Sequence, residues 1–233
     1  MITIYPAENR ASANHGWLRT WHSFSFADYY DPNNTQFGPL VVFNDDLINP
    51  ETGFGMHPHR DMEIVSVVLN GQLQHKDSMG NTSVIKKGEI QRMTAGTGVR
   101  HSEWNPTSDE VTNLLQIWFL PNQQGLTPSY EQVAYDLKKM GNNWLPIVSQ
   151  DEKPEMATIH QDLTLYLSEI EEGKTMNFTQ KEGRRIYLFV MEGEVQLNGE
   201  QVLKRRDAAR ITDLHEIQVK AEKEAFVMLI DLP

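Results

Sequence analysis

Four residues in the first half of the chain have the types and spacing of a metal centre: His57, His59, His101 and Glu103. Residues i and i+2 of a β-strand point to the same face, so each pair presents both side chains on one side of its strand. If the two strands meet, three imidazoles and a carboxylate converge, a donor set that suits Fe, Mn, Ni, Cu or Zn and leaves coordination positions open. Taken alone, His57 and His59 are also compatible with two exposed loop histidines, and Pro58 between them favours an edge strand or a strand end.

The elements that must position these residues read as an all-β scaffold. Short runs rich in β-branched and aromatic residues recur along the chain between Gly, Asn and Pro, which is typical of a barrel or sandwich. The runs lie at residues 40–43, 64–69, 72–75, 114–120, 185–191, 194–197 and 225–231. The best helix candidate is residues 130–140, and the Gly-Asn-Asn sequence that follows indicates a boundary between two lobes near residues 130–150.

A faint internal repeat relates the two lobes. Residues 64–74 and 186–196 both read as an apolar strand, an Asn-Gly or Glu-Gly turn, and a returning strand. Gly71 and Gly193 suit a hairpin position that needs a positive φ angle. Two such matches at corresponding places predict duplicated barrels.

The second lobe is predicted to lack metal ligands. When Gly193 is aligned with Gly71, Thr179 and Lys181 occupy the positions equivalent to the first histidine pair. The two histidines of this lobe, His160 and His215, have no second histidine two positions away.

Composition excludes several classes of protein. The chain has no cysteine, which excludes disulfides, thiolate zinc sites and iron–sulfur clusters. Its net charge of −11 is divided almost equally between residues 1–140 and 141–233, so neither lobe has the basic excess needed for direct nucleic-acid binding. The first residues lack the pattern of a secretory signal and no apolar run is long enough to cross a membrane. We expect a soluble cytoplasmic protein.

The sequence around the candidate ligands resembles the two cupin motifs, HPHRDME at residues 57–63 and HSEWN at residues 101–105. Within the cupins, the resemblance is to the pirin family, in particular to its bacterial members described as quercetin 2,3-dioxygenases. The segments that carry it are residues 14–18 (NHGWL), 21–26 (WHSFSF), 29–32 (YYDP), 54–63 (FGMHPHRDME), 77–81 (DSMGN) and 95–103 (AGTGVRHSE). Dense similarity runs from about residue 10 to residue 132, and the second half resembles the family only in its strand pattern.

The resemblance implies a bicupin: two β-barrel (jelly-roll) domains in one all-β chain with few short helices. Residues 1–135 would form the metal-binding barrel, and residues 136–233 a cupin-like barrel without ligands. Carried over to this sequence, the family's ligands are His57, His59, His101 and Glu103. The implied cofactor is one divalent transition metal, Fe(II) in the family, while the donor set also accepts Cu, Mn, Ni, Co or Zn.

Other residues near the motifs are candidates for supporting roles. The general cupin pattern takes its carboxylate from the first motif, which would be Glu63, whereas pirin-like sequences take it two residues after the last histidine. We therefore rank Glu103 first and expect Glu63 either behind the ligands or as a substitute ligand. Candidates for the wall of a substrate pocket, with packing as the alternative use, are Phe54, Met56, Trp104 and His22. His15 and His75, like His22, also fit surface or hydrogen-bonded structural positions.

The resemblance also implies a reaction. A dioxygenase of this kind cleaves the heterocyclic ring of quercetin or a related flavonol with O2 and releases carbon monoxide, with Glu103 accepting the proton of the flavonol 3-hydroxyl. The implied partners are a small aromatic substrate and O2, and the two-barrel chain suggests a monomer. Two alternatives stay open: a redox-responsive metal-binding regulatory protein that acts through a protein partner, and a cupin whose native substrate is different.

Overall fold

The computed structural model describes residues 1–233 and contains twenty β-strands and no α-helix. Two short 3-10 turns lie at Ala7–Asn9 and Leu137–Met140. The strands of the first half are β1 (Ile2–Tyr5), β2 (Ala11–Asn14), β3 (Leu18–His22), β4 (Leu40–Ile48), β5 (Gly53–His59), β6 (Glu63–Asn70), β7 (Gln72–Asp77), β8 (Thr82–Lys86), β9 (Glu89–Thr94), β10 (Val99–Trp104), β11 (Thr112–Phe119) and β12 (Ser129–Ala134). Those of the second half are β13 (Leu145–Ser149), β14 (Ala157–Thr158), β15 (Thr164–Ile170), β16 (Thr175–Thr179), β17 (Arg185–Leu197), β18 (Gln201–Lys204), β19 (Ala208–Thr212) and β20 (Glu216–Leu232).

The chain divides into two compact units. One consists of Ala11–Tyr135 with Asp151–Gln161, and the other of Met1–Arg10, Asp136–Gln150 and Asp162–Pro233. The division differs from a single boundary after residue 135 in two segments: residues 1–10 belong to the C-terminal unit and residues 151–161 to the N-terminal unit. The first ten residues join the C-terminal unit because β1 pairs with β19.

The N-terminal unit is built from two antiparallel sheets. The larger has the strand order β12-β9-β6-β11-β4-β3-β2, and the smaller has the order β5-β10-β7-β8. Their inner faces bury small apolar clusters, one around Leu18, Val68 and Leu114 and another around Ile64 and Met93. Between these clusters the inner faces carry polar side chains, and this is where the candidate site lies.

The C-terminal unit is a second antiparallel barrel-like array. Its main strand order is β1-β19-β17-β20-β15-β13, with β16 paired to β20 and β18 paired to β17. The alternating residues of β17 and β20, such as Ile186, Leu188, Val227 and Leu229, form a buried and wholly apolar cluster. The all-β, two-cupin prediction is confirmed.

The internal repeat is present in the strand pairing, although neither copy is a hairpin. β6 pairs with β9, and β7 pairs with β8; in the second copy, the two halves of β17 pair with β19 and β18 in the same way. Gly71 (φ +76°) and Gly193 (φ +85°) have the positive φ angles expected of them. Instead of folding back, the chain at Gly71 passes from one sheet to the other, and at Gly193 it continues through a register shift within a single strand.

The helix prediction for residues 130–140 is wrong. Ser129–Ala134 is a strand whose backbone pairs with β9 from Ser129↔Thr94 to Ala134↔Glu89, and only Leu137–Met140 turns, as a 3-10 helix after Asp136. Sheet pairing outweighs the helix propensity of Glu and Gln in this segment, because local propensity is a weak preference that tertiary contacts override. No helix of the structure is long and apolar enough to cross a membrane.

Candidate metal centre

Strands β5 and β10 bring the three motif histidines together. They are antiparallel, and His101 lies directly opposite His57, with His59 two residues further along β5 on the same face. β5 is at the edge of its sheet, which is why Pro58 is tolerated there. The strands approach closely because residue 53 is glycine: a Cβ atom at Gly53 would collide with the carbonyl of Glu103.

The three imidazoles form a compact triangle. Ring centroids are 4.8 Å apart for His57 and His59, 4.4 Å for His57 and His101, and 4.8 Å for His59 and His101. One nitrogen of each ring lies within 4.8 Å of one nitrogen of each of the others. This separation allows the three nitrogens to bind a single ion.

The hydrogen-bonding state of these rings fits a metal. Nδ1 of His57 donates to the carbonyl of Gly55 at 2.7 Å, which leaves Nε2 with its lone pair free to bind. Nε2 of His59 and both ring nitrogens of His101 are buried and have no hydrogen-bond partner in the protein. Buried polar atoms without partners are rare, and a bound cation would account for Nε2 of His59 and for one of the two ring nitrogens of His101.

Burial also keeps two of the rings neutral. Burial, with the neighbouring His101 and His57, lowers the pKa of His59 to about 4. Burial, with His57 and His75, lowers the pKa of His101 to about 3. Near pH 7 both rings are therefore unprotonated, which is the state that binds transition metals.

Glu103 is buried beside this triangle and is held in place by hydrogen bonds. Its Oε2 atom accepts from the Gln116 side-chain amide at 2.6 Å, and its Oε1 atom accepts from Gln91 at 3.2 Å and from the Ser66 hydroxyl at 3.2 Å. Its carboxylate is within 4.8 Å of His101 and His75. Glu103 can thus act on a group bound at the histidines, while its orientation is fixed by three strands of the larger sheet.

His75 belongs to the same neighbourhood. It is fully buried, its ring lies 5.4 Å from that of His101 and stacks on Tyr130 at 4.5 Å, and Nε2 hydrogen-bonds to Asp77 at 3.0 Å. The interpretation of His75 as a hydrogen-bonded structural residue agrees with this contact, but its place next to Glu103 was missed. Alternation along residues 72–75, which puts His75 on the same face as Leu73, is the signal that could have found it.

The candidate site opens into a cavity of about 330 Å³ inside the N-terminal unit. Its walls are largely aromatic and include two of the candidate wall residues, Phe54 and His22; the ring of His22 meets Phe26 edge-on at 5.2 Å. The lining residues are His15, Trp17, Leu18, Thr20, His22, Phe26, Ala27, Asn44, Asp46, Phe54, His57, His59, His101, Glu103, Gln116 and Trp118. Such a cavity has the size and the apolar character of a small-molecule site.

Two of the predicted wall residues do not line this cavity. Met56 and Trp104 are 48% and 41% exposed, and both point away from the histidines. Alternation is the cause: Met56 directly precedes His57 and Trp104 directly follows Glu103, so both side chains leave the face opposite to the histidines. A register shift acts only on Phe54, because two steps along β10, from His101 to Glu103, lie opposite three steps along β5, from His57 to Phe54. This bulge turns Phe54 inward.

Glu63, a candidate for a place behind the ligands or for a substitute ligand, is not brought to the histidines by the structure. It precedes Ser66 by three residues on β6, so its side chain leaves the opposite face of the sheet. There its Oε2 atom accepts from the Thr94 hydroxyl at 3.1 Å and from the backbone amide of His160 at 3.3 Å. Burial raises the pKa of this carboxyl. His160, assigned to the second lobe by the sequence, lies in the N-terminal unit because residues 151–161 pack there.

Asp46 is a cavity residue that sequence reasoning missed. It is 3% exposed and lines the cavity from β4, two residues after Asn44. Burial, with the negative charges of Asp45 and Glu103, raises the pKa of Asp46 to about 7, against the opposing effect of the Thr20 hydroxyl. The sequence predicts this strand only over residues 40–43, because polar residues begin after Phe43. The structure continues it to Ile48, and alternation from Val42 places Asn44 and Asp46 on one face.

A raised pKa at Asp46 predicts a stability that depends on pH. The native state holds a proton on this carboxyl up to about pH 7, while the unfolded state loses it near 3.8, so native stability falls as pH rises through this interval. The cost at pH 8 is on the order of 4 kcal/mol. We expect Asp46→Asn to raise the free energy of unfolding of the metal-free protein more at pH 8 than at pH 4.5, measured by urea denaturation. An equal change at both pH values would contradict the burial argument.

Fold and site together define a class, the two-barrel cupins with a histidine-rich candidate metal centre in the N-terminal barrel. Residues 6–119 match the family described as Pirin, and residues 146–232 match the one described as Quercetinase C-terminal cupin domain. The chain belongs to the pirin family.

Relatives from Escherichia coli are similar over the full length. The protein named Quercetin 2,3-dioxygenase from strain K12 is 43% identical over 233 residues, covering 100% of this chain and 99% of that protein. The crystal structure of bacterial pirin YhhW from the same species, in complex with nickel(II), matches with a TM-score of 0.95 and 42% sequence identity. The match covers 100% of this chain and 99% of that one. A quercetin 2,3-dioxygenase from Acinetobacter baumannii, 23% identical with a TM-score of 0.79 over 98% of this chain and 85% of that one, shares the fold.

Proposed function

We propose that this protein is a metal-dependent dioxygenase that cleaves the heterocyclic ring of quercetin or a related flavonol with O2 and releases carbon monoxide. The observation that carries the proposal is a triangle of three histidines with Glu103 beside it, open to an aromatic-walled cavity. The full-length similarity to a protein named Quercetin 2,3-dioxygenase supports the same activity.

His57, His59 and His101 would hold the metal, with Glu103 as the fourth ligand. We propose Fe(II) as the ion in the cell; the donors also suit the other first-row metals, and a related pirin was crystallised with nickel(II). A divalent ion bound here supplies a Lewis acid that favours ionisation of a flavonol 3-hydroxyl.

The protein's own groups perform the other tasks of the reaction. Glu103 takes the proton from the 3-hydroxyl, and the Gln116 and Gln91 amides hold its carboxylate in the orientation for this transfer. Phe54, Trp17 and Trp118 give the cavity flat apolar walls against which an aromatic substrate can pack. Their packing also limits water beside the reacting ring.

The overall change is balanced without a further reductant. Both oxygen atoms of O2 enter the product, two carbon–carbon bonds of the heterocyclic ring break, and one ring carbon leaves as carbon monoxide with its oxygen. The enzyme would therefore need only the flavonol and O2.

We also propose that it works as a monomer in the cytoplasm.

Loss of the quercetin absorbance band under air tests the proposed activity. Protein loaded with Fe(II), with metal content measured, should bleach quercetin with multiple turnovers, while protein stripped with a chelator should not. Metal-loaded protein that leaves quercetin intact would overturn the proposal. It would favour a different substrate or a regulatory role through a protein partner.

A further inference from the structure

We propose that Asp46 is a specificity-determining residue that hydrogen-bonds a phenolic hydroxyl of the substrate at a distance from the metal, so that the site selects polyhydroxylated flavonols. The inference rests on the proposed function, since it concerns the substrate of the same cavity.

Asp46 and Glu103 are the only carboxyl groups that line the cavity. Gln116 on β11 binds Glu103 and is paired across the sheet with Asn44 on β4. Asp46 follows Asn44 by two residues on the same face, about 7 Å further along the strand. The two carboxyl groups thus stand at different points along one wall, one beside the histidines and one away from them.

The Asp46 carboxyl has unused hydrogen-bonding capacity. Its Oδ1 atom is buried and has no hydrogen-bond partner in the protein. Burying a carboxyl in this condition is costly, and the raised pKa of about 7 reflects that cost. A ligand hydroxyl that enters the cavity can satisfy the atom, either by donating to the carboxylate or by accepting from the protonated acid.

The surrounding walls make a ring hydroxyl the fitting partner. Phe26, Phe54, Trp17 and Trp118 present aromatic faces and edges around the cavity, so the cavity favours a planar aromatic body in its middle. In a flavonol whose 3-hydroxyl lies beside the histidines, the 7-hydroxyl and the hydroxyls of the outer phenyl ring lie at the far ends of the molecule. One of these would pair with the Oδ1 atom of Asp46.

Sites built to pair with a ligand hydroxyl discriminate against the analogue that lacks it, because the buried protein group is then left unpaired. We expect the protein to bind quercetin about 10- to 100-fold more tightly than 3-hydroxyflavone, which keeps the chelating oxygens and lacks the other hydroxyls. Asp46→Ala should reduce this preference to near unity. Asp46→Asn, which keeps an oxygen acceptor but loses the charge, should reduce it in part.

The matched control is Asp45→Asn. Asp45 is the adjacent residue of the same type on β4, is equally buried, and points to the other face of the strand, where it accepts from Asn113 at 2.8 Å. This variant should keep the wild-type preference for quercetin.

The experiment measures dissociation constants of both flavonols for Fe(II)-loaded protein without O2, by quenching of tryptophan fluorescence, with metal content and thermal midpoint recorded for every variant. A preference that collapses in Asp46→Ala and persists in Asp45→Asn supports the inference. A wild-type protein that binds both flavonols equally, or Asp46 variants that keep the preference, would overturn it. Failure of the wild type to bind either flavonol is a separate result, which would instead remove the proposed function.

Discussion

Replacing His101 with alanine is expected to remove the bound metal and to lower flavonol turnover by roughly 10³-fold or more, since Lewis-acid stabilisation contributes several kcal/mol. His101 is 1% exposed, its ring lies 4.4 Å from that of His57, and one of its nitrogens lies within 4.8 Å of the Glu103 carboxylate. Metal content by elemental analysis and initial rates of quercetin loss measure the two effects in the same preparation.

The control for this variant is His215→Ala. His215 is exposed in the C-terminal unit, and its backbone carbonyl, which a substitution leaves in place, accepts from Gln180. It should keep full metal content and full turnover. Full activity of His101→Ala with unchanged metal content would contradict the assigned centre, and His57→Ala provides a second test if the His101 variant does not fold.

Replacing Glu103 with glutamine is expected to lower kcat by about 10²–10⁴-fold, the usual contribution of a positioned general base. Glutamine has nearly the same shape but cannot accept the 3-hydroxyl proton, and its amide group would face the donating amide of Gln116, which now bonds Oε2 at 2.6 Å. Single-turnover rates at saturating quercetin, divided by the metal content measured in each preparation, separate this effect from any change in metal affinity.

Glu63→Gln is the matched comparison for the carboxylate assignment. Glu63 is buried to the same degree but lies on the opposite face of the sheet with Thr94 and His160. Its replacement should leave turnover unchanged while altering the contacts of residues 151–161. A loss of turnover in Glu63→Gln equal to that in Glu103→Gln would contradict the assignment of the carboxylate role to Glu103 alone.

Much of the site could be predicted because strand alternation is a strong local rule. His57/His59 and His101/Glu103 are pairs at i and i+2, so any pairing of their strands on a common inner face assembles the group. The edge position of Pro58 and the positive φ angles of Gly71 and Gly193 followed from the restrictions of proline and the freedom of glycine.

The remaining features depend on long-range register, which one sequence does not specify. The bulge between β5 and β10 decides that Phe54 faces the cavity. The helix-like segment at residues 130–134 becomes a strand because β9 offers it a free edge. The sequence does not point to Asp46, because a run of polar residues indicates the end of a strand, whereas strands that line binding sites carry polar residues on their inner faces.

The most direct test of the account is the stoichiometry of the reaction catalysed by Fe(II)-loaded protein, with His101→Ala as the reference. Oxygen uptake, quercetin loss and carbon monoxide release are measured together in a closed vessel. Ring cleavage at this centre consumes and releases equal amounts of the three in the wild type, and we expect none above background in the variant. Quercetin loss without carbon monoxide, or the same carbon monoxide yield from His101→Ala, would contradict ring cleavage at this metal centre.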